Sequence, residues 1–161
     1  MKKLTKREVK EVCVKFWDLN ASRAPIKSFE EIFAENVEII VAAGTYIEFK
    51  GIAAFADHQI GKLGFFDQSF ELKSIDTKFQ EDGSAVAKTV GVWNASYWQS
   101  PAANSHRLIA DLKHTWTIVR SEKTGKAVIL RHVCDALKYR PGYAPIEAQK
   151  DFHLTIGKSK K

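Results

Sequence analysis

Two histidines in the second half of the chain, His114 and His132, belong to the residue type best suited to move protons near neutral pH. A neutral imidazole has one nitrogen that accepts a hydrogen bond and one that donates, and apolar surroundings favour that neutral form. If the two rings share a cavity, one can remove a proton next to a carbonyl group while the other stabilises the developing oxyanion. This division of labour suits enolisation, cyclisation and dehydration.

The strand predicted to carry His114 has one apolar face. Successive side chains of a strand point to opposite sides, so positions of one parity face the core together. In the segment 106–120 the apolar parity contains Leu108, Ala110, Leu112, His114, Trp116 and Ile118. We therefore expect His114 to face inward. A histidine on such a face is more often a hydrogen-bonded core residue than a catalyst, so a purely structural role stays open.

Large aromatic residues are expected to line the same cavity. Flat rings cover the face of a ring-shaped ligand well, although most buried aromatic residues only fill a core. The aromatic candidates are Trp17, Trp93, Tyr97 and Trp116. Tyr46 and Asp18 are further candidates near the rim, where solvation explains both adequately. His58 is expected at a helix cap or on the surface.

Other patterns that carry chemistry fail on spacing. The sequence contains no H-E-x-x-H, C-x-x-C or G-x-S-x-G motif. The run Gly157–Ser159 resembles the end of a phosphate-binding loop, but Phe152 stands where the first glycine of that loop is required. Cys13 and Cys134 lie among apolar neighbours and are expected to be buried thiols. We therefore expect no metal and no cofactor.

The charge distribution argues against a nucleic-acid partner. The formal net charge is +6, but seven of the 25 Lys and Arg residues lie in the terminal segments, and the remaining 18 balance the 19 acidic residues. No basic run interleaved with aromatic residues occurs between the ends. No segment approaches the roughly 20 apolar residues of a spanning helix, and the first residues lack the apolar run of a signal peptide. We expect a cytoplasmic protein without nucleic-acid or membrane partners.

Two helices are predicted before any strand. Thr5 and Glu8 have the spacing of a capping box, and apolar residues follow at helical spacing. This apolar face consists of Val9, Val12, Cys13, Phe16 and Trp17. A shorter helix is predicted from Pro25 to about Asn36.

Strands and a third helix fill the rest of the chain. Strands are predicted at 37–43, 46–49, 70–79, 85–99, 106–120 and 126–138, with a helix from Gly51 to about Gly64. A change of parity after Leu72 predicts a bulge near Ser74. We expect one domain over residues 1–140. Residues 141–161 form its tail, with a short helix around 146–150 and a disordered basic end.

This order of elements resembles the nuclear transport factor 2-like (NTF2-like) superfamily, and within it the SnoaL-like group of polyketide cyclase and ketosteroid isomerase-like folds. The segments that carry the resemblance are Phe16–Asn20, Ile32–Glu38, Phe49–Phe55 and Gly125–Ile129. The resemblance implies a cystatin-like α+β fold, in which a cone-shaped, curved antiparallel or mixed sheet wraps around three N-terminal helices. It says less about activity, because the superfamily holds isomerases, cyclases, dehydratases, epoxide hydrolases and non-catalytic binding modules.

The resemblance also extends to individual positions. The oxyanion-stabilising acid of the steroid-isomerase branch corresponds to about His114, on the inward parity. The same match turns Leu130, His132 and Cys134 inward on the last strand, so two imidazoles would share one cavity. A curved sheet of this family usually exposes a convex face that needs a partner, which implies a homodimer.

Two positions depart from the steroid-isomerase pattern. The proton-abstracting carboxylate of that branch would fall near Ile40, and its helical tyrosine around Lys15 or Phe16. None of these side chains can do the work of a carboxylate base or a phenol. We therefore do not expect a steroid-isomerase mechanism copied whole.

Two hypotheses follow. The first is a SnoaL-like, cofactor-independent enzyme of the cyclase, isomerase or dehydratase kind, acting on an apolar ring or polyketide-like molecule with His114 and His132 as acid and base. Its substrate-binding residues would be Trp17, Trp93, Tyr97, Trp116, Tyr46, Leu130 and Cys134. The second is a non-catalytic module that holds a ligand or mediates protein contacts.

Overall fold

The computed structural model describes residues 2–44, 46–60, 64–98 and 100–145, except for the side chains of His58 and Ile60. These residues form three helices and six strands. In chain order they are α1 (Lys6–Ala21), α2 (Ile26–Phe29), β1 (Phe33–Val41), β2 (Ile47–Lys50), α3 (Gly51–Ile60), β3 (Phe65–Phe79), β4 (Ala85–Tyr97), β5 (His106–Arg120) and β6 (Ala127–Tyr139).

The six strands form one mixed sheet in the order β2-β1-β6-β5-β4-β3. β1 runs parallel to β6, and every other neighbouring pair is antiparallel. α1 lies against β3 and β6, and α3 lies against β1 and β2. Helices and sheet turn their apolar faces toward each other and bury one core between them. The predicted α+β fold class is confirmed.

The capping box of α1 forms as predicted. Thr5 Oγ1 accepts a hydrogen bond from the Glu8 backbone N–H at 3.2 Å, and Glu8 Oε2 accepts from the Thr5 N–H at 2.9 Å. These bonds satisfy N–H groups that a first helical turn leaves without partners. The buried face of the helix consists of Val9, Val12, Cys13, Phe16, Trp17 and Asn20.

The prediction of a second helix reaching Asn36 is wrong. α2 ends at Phe29, and a strand begins at Phe33. The reason is pairing with a distant strand, because Phe33 lies opposite Ile129 and the Ile129 N–H donates to the Ile32 carbonyl at 2.7 Å. Tertiary contacts of this kind override a local helical spacing.

Bulges adjust which residues face the helices. The shift predicted near Ser74 is present between Leu72 and Ser74 in the β3–β4 pairing. A second shift, in β5–β6, pairs Ile118 with Ile129, so the fully buried Ile129 takes the inward place expected for Leu130. A bulge inserts one extra residue and so reverses the parity beyond it.

Residues 61–63 of the predicted third helix, Gln99 at the end of the predicted strand 85–99, and the segment 146–161 with its predicted short helix and basic end lie outside the described residues. Among the helices of the described chain, none is long and apolar enough to cross a membrane.

Candidate active site

Cross-strand pairing brings the two histidines together on the helix-facing side of the sheet. On β5 and β6, Trp116 lies opposite His132, and His114 lies opposite Cys134. Because alternate residues share a face, His114 and Trp116 are neighbours on β5, and the two opposing pairs form adjacent rows. Both imidazoles therefore point toward α1.

The imidazoles of His114 and His132 form a stacked pair. Their ring centroids are 4.7 Å apart and the planes differ by 18°. The Trp116 ring lies 4.3 Å from His132, and the Phe16 ring lies 4.7 Å from it. His114 is 3% exposed and His132 is 5% exposed. The pair thus sits in an aromatic layer between the sheet and α1.

Trp116 is held in place by a buried hydrogen bond. Its indole Nε1–H donates to Thr89 Oγ1 at 2.9 Å. Thr89 on β4 lies directly opposite His114 on β5, and it is almost completely buried. The bond satisfies a polar group that would otherwise be costly to bury. It also fixes the ring that packs against His132.

Trp17 closes the aromatic layer from the helix side. Its ring stacks on Phe70 of β3, with centroids 4.1 Å apart and planes within 9°. The edge of the ring approaches His114, with the centroids 5.2 Å apart. Trp17 Nε1 is buried, and no described residue accepts a hydrogen bond from it.

A polar pair follows one helical turn beyond Trp17. Gln59 of α3 donates from Nε2 to Oδ1 of the buried Asn20 at 2.9 Å. Gln59 Oε1 is buried, and no described residue donates to it. The junction of α1 and α3 therefore contains an unused donor on one helix and an unused acceptor on the other.

Trp93 and Tyr97 lie farther along β4, away from the two imidazoles. Both rings pack on Phe65, each with a centroid separation of 5.1 Å. The Trp93 Nε1–H donates to Gln68 Oε1 at 3.1 Å. These contacts place Trp93 and Tyr97 in a second aromatic group. Phe70 connects this group to the aromatic layer around the imidazoles, because Phe70 lies opposite Trp93.

The remaining candidates are placed differently. Tyr46 is 64% exposed and lies outside the aromatic layer, and Asp18 is also exposed. Leu130 is only half-buried, because the bulge in the β5–β6 pairing gives its expected inward place to Ile129. Cys134 faces inward opposite His114, is half-buried, and its thiol lies 3.8 Å from the Ala136 carbonyl. The side chain of His58 is outside the described residues.

Three contributors were not singled out from the sequence as site residues. Phe16 belongs to the predicted apolar face of α1, and its helical spacing from Val9 and Val12 does not reveal the contact with His132. Phe70 and Thr89 reach the site through strand pairing across long sequence separations. Parity alone places them inward but does not tell which rings they meet.

Tyr139 is a further inward-facing polar residue at the end of β6. It lies opposite Ala110 and packs against the core. Burial raises the pKa of its phenol, and the nearby Cys134 adds to that rise. Tyr139 therefore stays a protonated phenol at neutral pH.

No metal site is evident in the part of the chain that the structure describes. No three His, Cys, Asp or Glu residues there are grouped so that they could hold an ion. The catalytic and binding roles of the named residues stay predictions.

No protein-family model and no curated protein matches this chain. Solved structures do share its architecture. A protein from Novosphingobium aromaticivorans, provisionally assigned as a scytalone dehydratase, superposes with a TM-score of 0.67 at 15% identity, over 87% of this chain and 88% of that one. LinA superposes with a TM-score of 0.69 at 11% identity, over 88% of this chain and 94% of that one.

A third similar structure is an NTF2-like protein from Cytophaga hutchinsonii. Its TM-score is 0.61 at 11% identity, over 83% of this chain and 99% of that one. Identities this low show a shared architecture and do not transfer an activity. The chain has the NTF2-like fold that the resemblance of its sequence implies.

Proposed function

We propose that this protein is a small-molecule enzyme that uses His114 and His132 as an acid–base pair on a ring-shaped or polyketide-like substrate. The observation that carries the proposal is the stacked pair of buried imidazoles inside a layer of tryptophan and phenylalanine rings. A protein provisionally assigned as a dehydratase has the same fold, so the architecture is compatible with this class of chemistry. The reaction would be an isomerisation, cyclisation or dehydration that needs no cofactor.

Two imidazoles are sufficient for all the proton transfers of the proposed reaction. One ring takes the proton from the carbon next to a carbonyl, and the electron pair of that C–H bond forms a new C=C bond. The carbonyl oxygen becomes an enol oxygen and takes a proton from the other ring. In an isomerisation the first ring returns its proton to a different carbon, and in a dehydration it gives that proton to a departing β-hydroxyl group, which leaves as water. In both cases the enol O–H returns its proton to the second ring, so that both imidazoles regain their starting state.

The aromatic layer would orient the substrate. Trp17, Phe70 and Trp116 present flat apolar surfaces next to the imidazoles. A planar substrate that displaces part of this packing would bury its faces against these rings and turn its edge toward the histidines. Proton transfer requires heavy-atom distances of about 3 Å, so this orientation is part of catalysis.

Proton exchange on a simple ketone tests the proposal without knowledge of the natural substrate. We expect the protein to accelerate deuterium incorporation next to the carbonyl of 1-indanone in D2O, followed by NMR. H114Q and H132Q should each lower that acceleration by about 10²- to 10⁴-fold, the usual contribution of a general acid or base.

His106→Gln is the matched control, because His106 lies at the start of β5 outside the aromatic layer. The control should exchange at the wild-type rate. Wild-type rates in both H114Q and H132Q would overturn the acid–base assignment.

A second candidate is a non-catalytic ligand-binding or interaction module. The near-complete burial of both imidazoles favours it, because buried histidines are commonly structural. The exchange assay separates the two candidates. Binding of 1-indanone by the wild-type protein without any acceleration of exchange would support the module and exclude the enzyme.

A cytoplasmic homodimer, paired through the outer face of the sheet, completes the proposal. Val90 lies on that face and is 38% exposed, opposite Lys113 of the neighbouring strand. Exposed apolar side chains on a sheet face are candidates for an interface. Light scattering coupled to gel filtration should give the mass of a dimer, and a monomer mass at high protein concentration would refute this part.

A further inference from the structure

The indole N–H of Trp17 is buried beside His114, and no described residue accepts its hydrogen bond. Trp17 is 9% exposed. Buried indole N–H groups normally have an acceptor, because leaving one without a partner is costly. Even the exposed Trp98 has an acceptor within the protein, since its Nε1–H donates to the Ala102 carbonyl at 2.8 Å.

Trp93 and Trp116 follow the same rule. Their Nε1–H groups donate to Gln68 Oε1 and to Thr89 Oγ1 respectively. All four tryptophans of the chain lie in the described residues, and Trp17 alone among them lacks an acceptor there. Its N–H therefore has hydrogen-bonding capacity that the described residues leave unused.

The unused donor is adjacent to the proposed acid–base pair. The Trp17 ring is in edge contact with His114, and its centroid is 6.3 Å from that of His132. The unused acceptor, Gln59 Oε1, lies on α3. The Nε2 atom of the same side chain donates to Asn20, which is one helical turn beyond Trp17. Two unsatisfied polar atoms, one donor and one acceptor, thus occur where α1 meets α3.

We propose that the Trp17 N–H is a donor reserved for an oxygen atom of the ligand, so that the ligand is an oxygenated ring compound and not a pure hydrocarbon. Trp17 would hold a carbonyl or hydroxyl oxygen close to the imidazole of His114. A hydroxyl group on the same ligand would find its acceptor in Gln59 Oε1. This inference rests on the proposed function for the location of the ligand, but it concerns binding and not turnover.

A pair of ligands that differ by one oxygen tests the inference. 1-Indanone carries a carbonyl acceptor, and indane has the same fused rings without it. In calorimetric titrations the wild-type protein should bind 1-indanone about tenfold more tightly than indane, the effect of one hydrogen bond to an otherwise unpaired buried donor. In W17F the ratio of the two affinities should fall to about one, with the indane affinity little changed.

W98F is the matched control, since its indole N–H already has an acceptor in the protein. It should keep the wild-type ratio. If W17F fails to fold, 3-benzothienylalanine at position 17 serves instead, because sulfur replaces the N–H and the bicyclic ring is retained. This variant should lose the preference in the same way.

Three results would overturn the inference. They are an equal ratio in wild type and W17F, failure of the wild-type protein to bind either compound, and a crystal structure of the 1-indanone complex in which Nε1 donates to a retained water. Loss of the preference in W17F together with an unaccelerated deuterium exchange would refute the enzyme proposal and leave this inference standing. The two proposals therefore fail separately.

Discussion

The imidazole rings of His114 and His132 stack 4.7 Å apart, on the two strands of one hairpin. Each ring is also packed against tryptophan, His114 against Trp17 and His132 against Trp116. Rings in direct contact depend on each other for packing, so a change in one alters the surroundings of the other. The pair is best treated as one unit, whether its role is chemical or structural.

A double-mutant cycle on stability measures this coupling. We expect H114Q and H132Q to show an interaction free energy of about 0.5–1.5 kcal/mol in urea denaturation, the range for contacting aromatic rings. Phe79 is 47% exposed at the far end of β3, so H114Q and F79A should be additive. Additivity in the histidine pair as well would mean that the stacked contact contributes nothing.

The bond from Trp116 to Thr89 predicts a cost for removing the hydroxyl. T89V keeps the shape of the side chain but leaves the buried indole N–H without an acceptor, which should cost about 1–3 kcal/mol of unfolding free energy. T115V is the control, because Thr115 donates to Asp135 at the outer face. The control should cost less than about 0.5 kcal/mol. Equal costs for the two variants would contradict a special role of Thr89.

Gly91 makes room for the ring that stacks on Trp17. A Cβ atom at this position would lie 2.3 Å from Cζ of Phe70 and 2.8 Å from the Glu71 carbonyl oxygen. We expect G91A to lower the unfolding free energy by about 1–3 kcal/mol, as overpacking usually does. F70L should recover part of that loss in the double variant, because the smaller side chain removes one of the two clashes. A G91A protein as stable as wild type would show that Phe70 moves at no cost.

Local sequence signals predicted some elements of this fold well. The Thr5–Glu8 spacing located the start of α1, and alternation placed His114 on the inward side, because both depend only on neighbouring residues. The failures came from contacts between distant segments. Pairing of Phe33 with Ile129 replaced a helix by a strand, and a bulge moved Ile129 into the place expected for Leu130.

The composition of the candidate site was only partly predictable for the same reason. Helical spacing identified Trp17 and strand parity identified Trp116, but their partners Phe70 and Thr89 follow from the register of β3, β4 and β5. Register depends on bulges and turns that a single sequence specifies weakly. The unused N–H of Trp17 could not be foreseen at all, since it is a property of the surroundings and not of the residue.

The ion pair of Glu8 and Arg120 predicts acid sensitivity. Arg120 Nη1 donates to Glu8 Oε1 at 2.7 Å and also reaches the Gly125 carbonyl, so it ties the start of α1 to the end of β5. The hydrogen bond from Arg120 lowers the pKa of Glu8 to about 2, against 4.5 for an unperturbed glutamate. The carboxylate thus contributes stability above pH 4.5, and this contribution is lost as the pH falls toward about 2.

Denaturation at several pH values checks the ion pair. E8Q should remove the part of the stability loss that occurs between pH 4.5 and 2, while E11Q should not, because Glu11 pairs only with the exposed Arg7 among the described contacts. Identical pH profiles for wild type and E8Q would rule out this source of acid sensitivity.

The two cysteines should differ strongly in reactivity. Cys13 is 1% exposed on the inner face of α1, and burial raises the pKa of its thiol, so the reactive thiolate is scarce. Cys134 is half-buried on β6 opposite His114, where a small reagent has partial access. Iodoacetamide should label Cys134 faster in the native protein, and both residues should react once urea unfolds it. C13S should leave the native labelling rate unchanged, C134S should remove most of it, and the opposite assignment would show that α1 opens more readily than the sheet.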